Sequence, residues 1–341
     1  MKAAMLEAPY TFRIVDQPLP ELRPGWALVE VKVAGLCGSD LHFYKGDLPS
    51  DPTVRGHEIA GVIADPGDTG LTAGQAVIVN PLLGCGECRN CRRGEYHVCS
   101  NILMIGRDYP GGFAQYVTAP AAKIYPFRAD AVSFTQAALA DCVGVGLHAV
   151  NAMGIKPGDA IVVIGDGTIA LLLLQIAAAR GANPVIVLGK HERNLDVASR
   201  LGATHVVNIR HEEPLAAVQA IAGDVDVVFE AAGGPEPLYA ASLRMIRKGG
   251  RVALIGLTAA TTIRIPWVDL VVDERALIGL MGYSVFQGQD EMRQTIDLLE
   301  SHQSFLPDDA LTTVPLAEID RGFQMMLDRA TSGVIKVVAL P

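Results

Sequence analysis

A chain of 341 residues exceeds one ordinary domain, and with half of its residues hydrophobic and 19% charged it can bury large cores, which excludes a disordered protein. A formal net charge of −9 and a pI near 5.4 repel phosphate backbones and argue against nucleic acid as a partner. No membrane partner is expected, because the most apolar run, Ile161 to Ala179, is cut by Gly165, Asp166 and Gly167 and holds Gln175, where a span needs about 20 uninterrupted apolar residues.

The N-terminus, MKAAMLEAPYTFRIVDQPLP, has no basic region followed by an apolar run, so it does not read as a signal peptide, and a cytoplasmic location is expected. The first third is rich in short strands bounded by Gly, Pro and Asp. Segments 27–33, 58–64, 75–79 and 112–117 carry the Val/Ile pattern of a barrel-like β domain. Two short loops there hold chemically capable residues: Gly35-Leu-Cys37-Gly-Ser39-Asp40-Leu-His42 and Gly56-His57-Glu58. A catalytic zinc takes three protein ligands from Cys, His and carboxylate and keeps one position open, and Cys37 and His57 suit the first two. Alone, either residue would read as core or as a satisfied polar group. Their company in two short loops favours the metal.

Next comes Cys85-x2-Cys88-x2-Cys91-x7-Cys99 on a glycine-rich loop, GCGECRNC. In a reducing compartment four cysteines this close read as metal ligands rather than disulfides. Four thiolates fill a tetrahedral zinc and leave no place for substrate, so the site is structural. A nucleic-acid zinc ribbon is the competing reading; it usually has two separated CxxC pairs, and the acidic chain weighs against it.

Near residue 150 the texture changes to strands alternating with helices: strand 160–164, helix 168–180, strand 184–188, helix 193–201, strand 225–230, helix 237–246, then strands 251–255 and 277–280. This alternation predicts a doubly wound parallel sheet. Two helical stretches and a strand over 334–339 close the chain, giving an α/β dinucleotide-type domain inserted into a discontinuous β domain. Gly165-Asp166-Gly167-Thr168-Ile169-Ala170 follows the first of these strands and opens a helix, the setting a Rossmann fingerprint requires. Gly165 permits the tight turn, Gly167 admits a pyrophosphate to the helix N-terminus, and Ala170 stands for the third glycine. Asp166 is expected to point away or to cap backbone N–H groups. Where a carboxylate would bind a free ribose 2′-hydroxyl, the chain has Gly189, followed by Lys190, His191 and Arg193. Loss of the carboxylate and gain of cations favours NADP over NAD; the alternative is a solvated basic turn.

The chain resembles the zinc-containing medium-chain dehydrogenase family, which includes alcohol, sorbitol and threonine dehydrogenases, over essentially its whole length. CGSDLH, GHEIAG, the cysteine quartet, GGFAQYV and GDGTIA carry the resemblance. It implies a GroES-like catalytic domain (1–148 and 286–341, with a structural-zinc lobe at 84–100) and a Rossmann domain (149–285), with substrate bound in the cleft between them. It implies two zinc ions per chain and a third catalytic ligand in the segment Asp141-Cys142-Val-Gly-Val-Gly146-Leu-His148, placed at Asp141, with Cys142 left to packing; Glu58 is an alternative fourth ligand in some members. Zinc brings the pKa of a bound hydroxyl from about 16 to near 7, and Ser39 and His42 are expected to carry the released proton towards solvent. Asp40 is expected to accept from the His57 ring N–H and fix its tautomer. The implied activity is exchange of a hydride between an alcohol or polyol, or its carbonyl, and a nicotinamide dinucleotide in a dimer or tetramer, with the edge strand near 277–280 as a place for subunits to pair. A zinc-free reductase of the same superfamily and a non-catalytic, zinc-stabilised dinucleotide-binding protein are the rivals. Phe43, Tyr44, Leu48, Trp267 and Tyr283 are candidates to line the pocket.

Overall fold

The computed structural model describes residues 1–341 except 50, 234–238, 259–261 and 263. The chain separates into two compact units, Met1–Gly144 with Gly282–Pro341, and Val145–Met281. The helix Ala140–Met153 contains the first crossing, and the return falls just before Tyr283, whose hydroxyl bonds back to Asp141 in the first unit.

The first unit is built on a seven-stranded sheet. Its central strand, Trp26–Gly35, pairs antiparallel with Glu58–Asp65, Tyr116–Pro120 and the final strand Lys336–Leu340, which lies parallel to Leu311–Pro315. Ala76–Val79 continues the sheet beyond Glu58–Asp65. A smaller sheet joins Lys2–Ala8, Thr11–Asp16 and Thr53–Val54. Between them an aromatic cluster fills the core: Tyr44 stacks on Phe323 with ring centroids 4.7 Å apart, and Phe12 and Phe113 complete the group. Tyr44 is therefore core and does not line a pocket.

The strand expected over 112–117 begins only at Tyr116. Phe113 is fully buried, its N–H donates to the Arg55 carbonyl and its carbonyl accepts from Ala4, so this segment ties two layers together instead of extending one.

The second unit is a six-stranded parallel sheet in the order His205–Asn208, Val185–Gly189, Ile161–Ile164, Val225–Glu230, Ile246–Leu254, Ala276–Gly279. Numbered along the unit this is 3-2-1-4-5-6, the Rossmann order, whose direction reverses at the first strand. Every residue of Ile161–Ile164 is buried, as a strand covered on both faces requires. The helix Thr168–Ala179 is buried without interruption from Ala170 to Ala177, which accounts for the apolar character of this stretch. The helix expected over 237–246 is described from Tyr239 to Met245; residues 237 and 238 lie outside the described residues. Strand His205–Asn208 and helix Pro214–Ala222 lie between the predicted helix 193–201 and the predicted strand 225–230. No helix among the described residues is long and apolar enough to cross a membrane.

Candidate metal centres and dinucleotide site

The central strand of the first unit delivers Cys37, at the N-terminal end of the short helix Gly38–Tyr44, and its neighbour begins immediately after His57. Gly35 faces Glu58 in the strand register. A Cβ on Gly35 would lie 1.8 Å from Glu58 Oε2, so the glycine makes the room in which the carboxylate lies. The result is a convergence of one ligand atom each from Cys37, His57 and Glu58, all within 4.8 Å of one another.

Charge is arranged in depth around these three residues. His57 Nδ1 is 3.6 Å from Asp40 Oδ2, with both side chains buried. Burial opposes the His57 cation, but the negative groups of Asp40 and Cys37 outweigh it and hold the imidazole well above its usual pKa. Burial also pushes the Asp40 carboxyl up, against the opposing pull of His57 and, more weakly, of Arg55. Arg55, itself buried, places its guanidinium 3.6 Å from the centroid of the Phe43 ring. Glu58 forms a buried ion pair with Lys336. Burial would raise the Glu58 carboxyl, and Lys336 first, then His57, bring it below the usual carboxylate range. Lys336 Nζ also donates to the Leu36 carbonyl at 3.0 Å and lies 3.8 Å from Cys142 Sγ.

The Cys142 thiol donates to Glu58 Oε1 at 3.2 Å, so this residue does more than pack. Asp141 stands in the first turn of its helix outside the three-residue cluster, and its Oδ1 accepts a 2.8 Å hydrogen bond from the Tyr283 hydroxyl. Tyr283 is fully buried and serves as an anchor rather than a pocket wall. The Ser39 hydroxyl donates to Cys37 Sγ at 3.3 Å, while His42 Nδ1 lies 3.2 Å from Asp47 Oδ2 near the surface. Leu48 and Trp267 are exposed.

Arg55 and Lys336 escaped the sequence reading. A lone lysine inside the apolar run GVIKVVAL was the signal for Lys336, since an ammonium in a buried strand requires a partner. The signal for Arg55 was weaker: an arginine directly before a GHE turn.

The quartet also converges. Cys85 and Cys91 sulfurs are 4.0 Å apart and those of Cys88 and Cys99 are 3.8 Å apart, against a tetrahedral edge of about 3.8 Å for sulfurs about 2.3 Å from zinc. Backbone N–H groups point at the sulfurs: Cys88 N to Cys85 Sγ at 3.4 Å, Cys91 N to Cys88 Sγ at 3.5 Å, and both Cys85 N and Asn101 N to Cys99 Sγ at 3.3 Å. The amides of Cys91 and Ser100 bring the Cys88 thiol down to about 6. Burial and then the adjacent sulfurs drive Cys91 the other way, to about 12. Four sulfurs this close cannot all be thiolates without a cation among them. The donor set fits zinc.

In the second unit Gly165 has φ +121°, a conformation that favours glycine, at the end of the first strand. Gly167 is the N-cap of the helix that starts at Thr168 and Ile169. Asp166 caps the next turn: its Oδ2 accepts from the N–H groups of Lys190 and His191, each at 2.8 Å. Lys190 and Arg193 are exposed beside it. This end of the strands, where the strand order reverses, is the place a dinucleotide takes in an open α/β sheet.

Comparisons with known proteins point to one family over both units. The alcohol dehydrogenase GroES-like domain model matches residues 23–129, and the zinc-binding dehydrogenase model matches 168–301. Sorbitol dehydrogenase of Bacillus subtilis (strain 168) is 32% identical over 83% of this chain and 83% of its own. L-threonine 3-dehydrogenase of the same strain is 32% identical over 95% and 94%. Among solved structures, a zinc-binding dehydrogenase from Sinorhizobium meliloti 1021 bound to NADP superimposes with a TM-score of 0.90, at 28% identity, over 100% of this chain and 99% of that one. The 2R,3R-butanediol dehydrogenase of Bacillus subtilis gives 0.88 at 26% identity over 100% and 99%. With family models matched in both halves and a relative 32% identical over 95% of its length, the chain belongs to the zinc-containing medium-chain dehydrogenase family.

Proposed function

We propose that this protein interconverts a secondary alcohol or polyol and its carbonyl compound, with NADP preferred to NAD as hydride carrier and two zinc ions per chain. The convergence of Cys37, His57 and Glu58 on one point, backed by buried counter-charges, carries the proposal. Cys85, Cys88, Cys91 and Cys99 hold a structural ion. Cys37, His57 and Asp141 hold the catalytic ion, with Glu58 able to approach it as a further ligand. The first unit is the catalytic domain and the second the dinucleotide domain.

When bound, the catalytic zinc supplies Lewis acidity that acidifies an alcohol hydroxyl, and the nicotinamide supplies or accepts the hydride. The chain supplies the rest. Ser39, beside Cys37, accepts the hydroxyl proton, and His42, nearer the surface, passes it out. Asp40 faces the His57 ring nitrogen and fixes its tautomer. Gly165, Gly167, Thr168 and Ile169 let the pyrophosphate approach the helix N-terminus. Gly189 with the exposed Lys190 and Arg193 favours a 2′-phosphate. The relatives act, by their names, on sorbitol, threonine and butanediol, which supports a small polyfunctional alcohol as substrate.

A homodimer or tetramer is part of the same reading. The edge strand Ala276–Gly279 ends the parallel sheet, and Trp267, Val268 and Val272 on the helix before it are largely exposed. Light scattering that gives a monomer would remove this part.

The deciding experiment is a screen of secondary alcohols, polyols, amino alcohols and sugars with each cofactor, following nicotinamide absorbance. Turnover of at least one class is expected. Cofactor binding with no turnover of any would favour a dinucleotide-binding protein without dehydrogenase activity.

A further inference from the structure

The end of strand Val185–Gly189 carries an arrangement that the cofactor reading does not use. In a dinucleotide fold this strand stops beside the adenosine ribose, and a carboxylate there binds a free 2′-hydroxyl. Here the last residue is a buried glycine. A Cβ on Gly189 would lie 2.7 Å from Asp166 Cβ, 2.8 Å from Asp166 Oδ2 and 2.8 Å from Leu195 Cδ2, well inside the roughly 3.5–4.0 Å at which non-bonded carbons rest. The volume a side chain at 189 would need is filled by Asp166, the middle residue of the GDG loop on the neighbouring strand.

Asp166 is held there by several independent contacts. Its Oδ2 takes the N–H groups of Lys190 and His191 at 2.8 Å each, and the His191 ring Nδ1 lies 3.0 Å from that oxygen and 3.2 Å from Oδ1. The Asp166 carbonyl accepts from the buried Asn194 side chain at 2.8 Å. Bonds from two amides to one carboxylate oxygen are charge-assisted and among the stronger ones available to a turn. The carboxylate is turned towards the protein's own donors, and the turn it closes bears Lys190 and leads into the helix Glu192–Arg200, which carries Arg193 in its first turn.

We infer that Asp166 is the positioning residue for cofactor choice: it occupies the strand end, bars a ribose-binding carboxylate from position 189, and fixes the turn of Lys190 and the helix start that carries Arg193. Positions 166 and 189 therefore act as one unit. The direction of the preference rests on the NADP reading proposed above, whereas the coupling between the two positions does not.

The test is calorimetric titration of the zinc-loaded protein with NAD and with NADP for the wild type, Gly189→Asp, Asp166→Ala and the double variant. Gly189→Asp alone should weaken both cofactors tenfold or more, because the new side chain meets Asp166. Asp166→Ala alone should weaken NADP about tenfold by freeing the turn. The double variant should bind NAD at least tenfold more tightly than Gly189→Asp and should prefer NAD, a reversal that a merely structural repair would not give. Gly189→Asp that binds NAD as well as the wild type, or a double variant no better than that single one, overturns the inference. Should Gly189→Asp fail to fold, Gly189→Ala with and without Asp166→Ala repeats the cycle with one methyl group. The same non-additivity is then expected in NADP binding, and additive effects overturn the inference. A wild type that prefers NAD would defeat the NADP reading, and the cycle would still decide the coupling.

Discussion

Replacing Lys336 by Met removes the only cation paired to Glu58 through a direct ion contact among the described residues. The side chains of Lys336 and Glu58 are 3% and 0% exposed, so solvent cannot take over the carboxylate's charge. Removing one partner of a buried pair typically costs about 3–5 kcal/mol, whereas replacing both by uncharged groups can be close to neutral. Lys336→Met should therefore lose about 3–5 kcal/mol, while Lys336→Met with Glu58→Gln should recover most of that loss. Equilibrium urea unfolding of the three proteins at neutral pH, with zinc in equal excess, measures both. The gap should also depend on acid. Because Glu58 is held below its ordinary value, its contribution is fully present above the usual glutamate pKa of about 4.3 and disappears as the pH falls through its folded value. Wild type and Lys336→Met should accordingly converge in acid. A loss under about 1 kcal/mol for the single variant, or single losses that simply add in the double, would refute the idea that Lys336 neutralises a buried carboxylate.

Tyr283→Phe should lower stability by about 1–3 kcal/mol, since Asp141 loses a buried donor, and should reduce catalytic zinc affinity in a competition with a chromogenic chelator; unchanged affinity would show that the hydroxyl does not orient Asp141. Asp141→Asn should lower zinc occupancy and turnover severely, whereas Cys142→Ala should cost about 1–3 kcal/mol of stability with zinc retained; the opposite pattern from elemental analysis and unfolding would exchange their roles. Cys88→Ser should lose one zinc and lower the melting temperature while leaving NADP binding to the second unit within threefold of the wild type, as titration calorimetry would record.

The sequence revealed most where a residue type and a spacing together encode one geometry. The cysteine quartet is local, so its spacing alone fixes the convergence that the sulfurs show. The alternation after residue 150 likewise carried the parallel sheet, because βαβ units are local and their handedness is constrained. Short strands at element margins were harder: Lys2–Ala8 and Thr11–Asp16 mix charged and apolar positions, and His205–Asn208 spans four residues with only one buried. Contacts between distant segments were not legible. Lys336 meets Glu58 only because the last strand returns to the central strand Trp26–Gly35, and nothing near either residue announces the other. Tyr44 and Tyr283 look like pocket aromatics beside a catalytic motif, yet the fold uses one in the core and the other as a hydrogen-bond anchor. Gly189 read as the absence of an acid; the structure shows that a neighbouring acid has taken its space.

In the proposed function two separate donor sets each hold a zinc ion, Cys85, Cys88, Cys91 and Cys99 for structure and the Cys37 and His57 set for chemistry. Elemental analysis of purified, chelator-free wild type, Cys37→Ser and Cys88→Ser tests it most directly. Two zinc ions per chain in the wild type and one in each variant are predicted, with turnover lost in Cys37→Ser. Active wild-type enzyme holding one zinc or none, or a Cys37→Ser variant that keeps both ions, would contradict it.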